Sequence, residues 1–300
     1  MLSSLIAVVG PTASGKSALA IQIARSLGDC EIISADAMQL YRGMDIGTAK
    51  LSQSDQEGIP HHLIDAVEPT EEVTAVQYRE LFDEALASII KRGKTPIVAG
   101  GSTLYLAAAL DEMQFAPTDP EVRAALEAKA SDIGQLAMHA LLESKDPAAA
   151  AKIPASNLRR VIRALEVVEI SGKSFAASLP DPAYRRPTTQ IGILVERELL
   201  RERIEQRVRG MWQGGLVEEV EGLLARYPNL SKTARVAIGY QQAAAQLSGE
   251  LTEDQAIAET IQLTQRYAKK QMTWFRRDSR IVWLDSSKDL LGAALDVIRL

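Results

Sequence analysis

The chain has 300 residues, of which 46% are hydrophobic and 24% charged, and its formal net charge is −5. These proportions are typical of a globular protein with enough sequence to bury a core. The single cysteine excludes a disulfide framework and a cysteine-rich zinc site. No apolar run approaches the length of a membrane span and the N-terminus does not resemble a signal peptide, so we expect a cytoplasmic protein with no membrane contact.

The first strong signal is an apolar strand at 5–9 that runs directly into a glycine-rich loop and an amphipathic helix at 17–27. The loop matches the P-loop pattern G-x-x-x-x-G-K-S. Its backbone N–H groups, together with the positive end of the helix, can bind a di- or triphosphate. We expect Lys16 at the terminal phosphoryl oxygens and Ser17 as a ligand of Mg²⁺. The predicted diphosphate site comprises Gly10, Pro11, Thr12, Ala13, Ser14, Gly15, Lys16 and Ser17.

Strands and helices alternate through the first hundred residues, with further strands predicted at 31–34 and 95–99 and a helix at 75–91. The nearly continuous Ile and Val runs indicate strands that are buried on both faces, as in a parallel sheet. Two later strands, at 190–195 and 280–284, are predicted to complete this sheet. The predicted fold is therefore α/β, a P-loop nucleotide-hydrolase-like parallel sheet covered by helices.

No strand pattern occurs between 117 and 187, where the sequence indicates helices that are separated at 146–147 and 153–154. Within 157–170 the apolar residues recur at helical spacing, and Arg159 and Arg163 lie on another side of the same helix. We therefore predict an all-helical domain at 117–187, inserted between two core segments at 1–116 and 188–300.

Two segments are basic although the chain as a whole is acidic. Residues 152–186 hold seven basic side chains against three acidic ones, and residues 262–280 hold six against one. Such clusters are typical of a surface that binds the phosphate backbone of a nucleic acid. Two ordinary solvated helix faces explain them equally well.

Polar residues follow two of the predicted strands at the sheet edge where ligands bind in α/β proteins. Asp36, after the second strand, is a candidate magnesium ligand, general base or helix cap. The segment at 99–102 follows the third strand, and its glycines allow a ligand to approach the backbone while Ser102 can bond a phosphate. His61 and His62 have no third ligand at metal spacing, so they do not indicate zinc.

At these residues the chain resembles the tRNA dimethylallyltransferases, also called isopentenyltransferases. The resemblance extends over essentially the whole chain and is carried by the motifs at 10–17, 34–50, 60–65, 99–105, 159–167 and 266–277. It implies transfer of a dimethylallyl group from its diphosphate to the exocyclic N6 amine of the adenosine 3′-adjacent to the anticodon, with release of diphosphate. It also implies that the P-loop holds the prenyl donor rather than ATP.

The resemblance further implies the roles of individual residues. Asp36 would be the general base, and Ser102, at a position that is usually threonine, a second catalytic residue. The anticodon stem-loop of tRNA would be bound at Asp36, Ala37, Met38, Gln39, Ser102, Arg123, Arg159, Arg160, Val161, Ile162 and Arg163. The expected cofactor is Mg²⁺, and the expected state is a monomer with no obligate protein partner.

Three alternatives remain open at this stage: a prenyltransferase of free adenine nucleotides, a small-metabolite kinase, and an RNA-binding protein without chemistry. Some side chains also have two interpretations. Met38, Tyr41 and Met44 could line a prenyl pocket or pack in the core. Trp274 and Phe275 are more typical of a core than of a platform for stacked bases.

Overall fold

The structure is a computed structural model that describes residues 5–113, 115–175 and 183–299. It divides into two compact units. The first consists of Met1–Asp111 and Tyr184–Leu300, and the second of Glu112–Ala183. The insertion expected at 117–187 overlaps the second unit and begins and ends a few residues later along the chain. None of the described helices is both long enough and apolar enough to span a bilayer.

The first unit contains a six-stranded sheet in the order β3-β2-β4-β1-β5-β6. Its strands are β1 (Leu5–Val9), β2 (Cys30–Ala35), β3 (His61–His62), β4 (Thr95–Gly100), β5 (Thr188–Leu194) and β6 (Val282–Asp285). Every pair is parallel, which confirms the predicted fold class. The two-residue edge strand β3 was not predicted, because such a short strand has no periodicity of its own.

Twelve helices accompany the sheet in the described part of the chain. They are α1 (Lys16–Leu27), α2 (Ala75–Lys91), α3 (Thr103–Leu110), α4 (Pro120–Lys145), α5 (Pro147–Ala150), α6 (Leu158–Ser171), α7 (Arg197–Gln213), α8 (Leu216–Arg226), α9 (Lys232–Arg235), α10 (Tyr240–Leu247), α11 (Glu253–Phe275) and α12 (Leu290–Arg299). Helix α2 begins with a capping box in which Thr74 and Gln77 exchange hydrogen bonds.

The sheet is covered on both faces because alternate residues of a strand point in opposite directions. Leu5 and Val9 of β1 pack with α2 and α3, whereas Ile6 and Val8 pack with α1 and α12. The C-terminal helices α7, α8, α10 and α11 form a third apolar cluster together with side chains of the segment after β2.

Three of the residues with two interpretations are core residues. Tyr41 and Met44 lie in the third cluster and are 1% and 0% exposed, so neither side chain is open to a prenyl group. Phe275 is fully buried among residues that pack on the sheet, as expected for a core side chain.

The second unit is formed by α4, α5 and α6 around an apolar cluster that includes Leu142, Val161 and Leu165. Helix α4 is interrupted at Gly134, whose φ of 79° lies in the left-handed region. The side chain of Glu166 is fully buried, and it forms ion pairs with two arginines.

Four residues donate hydrogen bonds to the Glu166 carboxylate. Arg123 Nη2 and Arg163 Nη1 donate to Oε2 at 2.6 and 2.7 Å, and the Thr118 hydroxyl and the Asp119 N–H donate to Oε1 at 2.8 and 3.0 Å. Burial alone would raise the pKa of Glu166, but these donors together lower it to about 2.

This pKa predicts how the stability of the protein depends on pH. Because the pKa of a glutamate is about 4.3 in an unfolded chain, the Glu166 contribution is fully present above that pH. It is lost as the pH falls towards 2. We expect Glu166→Gln to lower the free energy of unfolding by roughly 2–3 kcal/mol at pH 7, and by progressively less below pH 4.5.

Urea unfolding of the full chain between pH 7 and pH 3 measures this difference. Glu169→Gln is the matched control, since Glu169 lies on the same helix but makes only a 3.3 Å surface ion pair with Lys145. A difference between wild type and Glu166→Gln that stays constant with pH would contradict the assigned role of the ionised carboxylate.

Candidate active site

The candidate site lies where three neighbouring strands of the first unit end. β2, β4 and β1 are adjacent and parallel, and their last residues are in register, with Val9 and Ala35 both opposite Gly100. The segments that follow these strands therefore meet at one edge of the sheet, as ligand-binding loops of α/β proteins do. They are the P-loop, the turn at Asp36 and the turn at 101–102.

The P-loop presents unpaired donors on its inner side. The N–H groups of Gly15, Lys16 and Ser17 stand at the start of α1 and have no backbone acceptor among the described residues. The Ser14 hydroxyl is buried and likewise lacks a hydrogen-bond partner there. A Cβ at Gly10 would lie 2.8 Å from that hydroxyl, so the loop requires a glycine at this position. This is the arrangement expected of an anion site.

Other groups of the loop are already used within the protein. The Thr12 N–H donates to Gln271 Oε1 at 2.9 Å, and the Ser14 N–H donates to the Pro11 carbonyl at 3.3 Å. Pro11 has no N–H. The backbones of Pro11, Thr12 and Ser14 therefore have no free N–H for a diphosphate, and the place of these residues in the diphosphate site stays a prediction.

Two cations and a carboxylate surround the loop. Lys16 Nζ donates to the Pro11 carbonyl at 3.3 Å. Burial lowers the pKa of Lys16 to about 8, an effect that Asp36 opposes and Arg207 reinforces. Arg207 of α7 donates to the Thr12 hydroxyl at 3.1 Å and to the Thr48 carbonyl at 3.3 Å. Its pKa is lowered by burial and raised by Asp36.

Sequence reasoning did not identify Arg207. It is one of five arginines in α7, and nothing in the local pattern separates it from the others. The only available signal was its place beside Val208, which is buried.

Asp36 closes a turn with one of its two oxygens. Oδ1 accepts a hydrogen bond from the Met38 N–H at 3.0 Å, and the Asp36 N–H donates to the Ser34 hydroxyl at 3.3 Å. No hydrogen bond to Oδ2 occurs within the described ranges. The turn therefore fixes the carboxylate while leaving one oxygen available for a substrate proton.

The backbone N–H of Ser102 is hydrogen-bonded within the described residues, whereas its hydroxyl is not. Its N–H donates to the Ala35 carbonyl at 3.1 Å, which ties the end of β4 to the end of β2. Its hydroxyl does not cap α3 and has no partner in the described structure. A side chain at Gly100 would clash with the Ala35 carbonyl, so this close approach depends on glycine.

The residues after Asp36 are partly exposed, as binding residues must be. Ala37 and Met38 pack against neighbouring core clusters. The Gln39 amide is already occupied, since its Oε1 accepts from the Ser34 hydroxyl at 3.0 Å and its Nε2 donates to the Thr48 carbonyl at 3.2 Å. The expected RNA contacts of these three residues stay predictions.

The expected RNA-binding residues of the second unit fall into three groups. Arg159 and Arg160 are exposed and make no side-chain hydrogen bond or ion pair with any described residue. Arg123 and Arg163 are bound to Glu166. Val161 and Ile162 are 0% and 7% exposed. Their side chains pack in the core of the unit, and the expected RNA contacts of these two residues stay predictions.

The residues present fit a magnesium ion that is shared with a diphosphate. The Ser17 hydroxyl has no hydrogen-bond partner among the described residues, and the Asp36 carboxylate lies in the same charged cluster. Mg²⁺ commonly takes one or two protein oxygens and fills its other positions with phosphate oxygens and water. No group of three His, Cys, Asp or Glu side chains in the described structure could hold a metal. His62 instead bonds Glu31 at 2.6 Å.

Comparison with known proteins gives one consistent result. A family model described as IPP transferase matches residues 39–278. The tRNA dimethylallyltransferase of Salinispora arenicola is 48% identical over 297 residues, which cover 99% of this chain and 86% of that protein. The tRNA dimethylallyltransferase of Streptomyces griseus is 51% identical over 282 residues, which cover 93% and 89%.

Solved structures agree with these relatives. The tRNA isopentenylpyrophosphate transferase of Bacillus halodurans has a TM-score of 0.72 and 36% identity, and the match covers 99% of this chain and 95% of that one. A eukaryotic dimethylallyltransferase acting on tRNA has a TM-score of 0.80 and 27% identity, with 96% and 75% covered.

Proposed function

The chain belongs to the IPP transferase family of tRNA dimethylallyltransferases, and we propose that its active site is formed by the P-loop, Asp36, Ser102 and Arg207. It transfers a dimethylallyl group from dimethylallyl diphosphate to the N6 amine of the adenosine 3′-adjacent to the anticodon in tRNA. One observation supports this site. Unpaired hydrogen-bond donors of the P-loop lie at the same edge of the sheet as an Asp36 oxygen and a Ser102 hydroxyl that have no partner among the described residues.

The P-loop side would bind and stabilise the leaving group. The carbon–oxygen bond of the donor breaks, so negative charge grows on the diphosphate as the reaction proceeds. The N–H groups of Gly15, Lys16 and Ser17 and the cations of Lys16 and Arg207 are fixed around it before the reaction begins. Preorganised donors of this kind contribute most where charge develops. With the diphosphate, the Ser17 hydroxyl would hold Mg²⁺, which when bound neutralises part of this charge.

The Asp36 side would activate the acceptor. The N6 amine is a weak nucleophile because its lone pair is delocalised into the adenine ring. Its nitrogen forms a bond to the dimethylallyl carbon, and the free oxygen of Asp36 accepts the amine proton. The Ser102 hydroxyl would orient the base from the neighbouring strand end. The target base must leave its stack to reach these groups, as in other base-modifying enzymes.

One assay separates the remaining alternatives. Purified protein is incubated with Mg²⁺, labelled dimethylallyl diphosphate and either an anticodon stem-loop or AMP, and the products are analysed by mass. An adenosine of the stem-loop that gains a five-carbon unit is the expected product. Label in AMP alone would instead support a prenyltransferase of free nucleotides, and label in neither acceptor would overturn the proposed function.

Replacing Asp36 tests the general base. We expect Asp36→Asn to lower kcat by about 10²–10⁴-fold and to change the Kd of the stem-loop and of dimethylallyl diphosphate by less than about threefold. Asp55→Asn, at an exposed aspartate of the same unit, should leave kcat unchanged. Near-normal turnover of Asp36→Asn would remove Asp36 from this role.

Replacing Arg207 tests the diphosphate site. We expect Arg207→Met to weaken binding of dimethylallyl diphosphate and of free diphosphate by about 10- to 100-fold, because a hydrogen bond to a charged group contributes about 1.5–3 kcal/mol. Isothermal titration calorimetry measures both ligands. The control is Arg209→Met on the same helix, where the arginine pairs with Glu205 at 2.9 Å on the surface. Equal effects of the two variants would contradict the proposed contact.

Replacing Arg159 and Arg160 together by Gln tests the RNA surface of the second unit. We expect a higher KM for tRNA and a weaker dependence of binding on salt, because two fewer phosphate contacts reduce the slope of log K against log salt by about 1.5. Lys129→Gln, at an exposed lysine of the same unit, is the control. If the slope of log K against log salt were unchanged, both arginines would belong to an ordinary solvated helix face that does not contact RNA.

A further inference from the structure

Gln271 joins two loops of the active site although it lies far from both in sequence. It is in α11 and is 4% exposed. Its side-chain Oε1 accepts a hydrogen bond from the Thr12 N–H at 2.9 Å, and its Nε2 donates to the Gly101 carbonyl at 2.8 Å. One amide group therefore connects the P-loop to the turn that carries Ser102.

The connection lies beyond the end of the sheet ladder. β1 and β4 are paired as far as Val9 and Gly100, and no backbone hydrogen bond joins the two loops after that point within the described ranges. A side chain at Gly101 would clash with the Gln271 amide, so the turn approaches the amide as closely as a backbone can. Beyond the strand pairing, the Gln271 side chain is thus the hydrogen-bonded link between the two loops among the described residues.

The two connected loops serve different reactants. Thr12 also accepts the hydrogen bond of Arg207, on the side of the diphosphate. Gly101 precedes Ser102, on the side of the acceptor base. Group transfer requires the reacting atoms to come within about 3–3.5 Å, and a misplacement of about 1 Å can cost about 100-fold in rate. A group that sets the distance between the two loops would therefore act on the rate of transfer.

We propose that Gln271 is a positioning residue that fixes the P-loop and the Ser102 turn at the separation required for dimethylallyl transfer. This inference rests on the proposed function. It assigns Gln271 no contact with either substrate. Its loss should lower kcat and leave the affinity for each separate substrate nearly unchanged. A residue needed only for packing would instead lower stability without a specific effect on kcat.

Gln271→Met is the first variant, because methionine fills a similar volume and cannot make either hydrogen bond. We expect kcat with saturating substrates to fall by about 30- to 100-fold. The Kd of dimethylallyl diphosphate and of the stem-loop should each stay within about threefold, as measured by calorimetry. Gln262→Met, at an exposed position of the same helix, is the matched control.

Gln271→Glu gives a readout that a packing role would not produce. A protonated carboxyl has one O–H donor and one carbonyl acceptor, so it can replace both hydrogen bonds of the glutamine. The ionised form cannot donate to the Gly101 carbonyl. The ratio of variant to wild-type kcat should therefore rise towards 1 as the pH falls from 8.5 to 5.5.

The neighbouring charged and titratable groups are Lys16 beside the P-loop, Asp36 after β2, Arg207 on α7 and Tyr267 on α11. They are common to variant and wild type, so the ratio of the two rates removes their direct contribution to the pH profile. Gln262→Glu places the same new carboxyl on the exposed side of α11 and should give a ratio near 1 at every pH.

Each outcome decides between the two roles. A kcat of Gln271→Met within threefold of wild type overturns the proposal, and so does a parallel loss of diphosphate affinity that accounts for the whole effect. If Gln271→Met does not fold, the pH series of Gln271→Glu decides, and a flat ratio overturns the proposal. A wild-type protein that transfers no dimethylallyl group would overturn the proposed function itself, which is a different result from an active wild type with an unaffected variant.

Discussion

The proposed active site depends on the parallel pairing of three adjacent strands that end at the same level. Register places Val9, Ala35 and Gly100 side by side, so three loops from distant parts of the chain emerge together. Parallel neighbouring strands need long crossover connections, and most of the helices lie in these connections. The chemistry at the edge therefore follows from burial of the strands, since the Ile and Val side chains that fix the sheet also fix where it ends.

Charge balance at this edge follows from the same geometry. Burial lowers the pKa of both Lys16 and Arg207, Arg207 lowers that of Lys16 further, and Asp36 is the carboxylate that raises both. In the proposed mechanism a diphosphate would bring further negative charge to these two cations, and Asp36 would then serve the acceptor amine.

Local patterns were sufficient to predict much of this structure. β1 and α2 begin and end where the sequence indicated, because burial on both faces and a capping box are visible in a few consecutive residues. Arg207 and Gln271 were not predicted, because their partners are 195 and 259 residues away. The apolar spacing of 157–170 had already placed Val161 and Ile162 on the stripe that is buried in the structure, whereas their expected RNA contacts rest on the resemblance alone and stay predictions.

The C-terminal helices connect the last third of the chain to the proposed site. Glu219 of α8 accepts hydrogen bonds from the backbone N–H groups of Ile46 and Asp45 at 2.8 and 3.1 Å, and also from the Tyr240 hydroxyl. This fixes the loop at 45–48, whose last carbonyl, that of Thr48, accepts from both Gln39 and Arg207. Arg207 of α7 and Gln39 of the turn after β2 thus donate to the same carbonyl, that of Thr48. Because α7, α8 and α11 all contribute polar contacts to these loops, their packing sets the geometry of the proposed site as well as the stability of the unit.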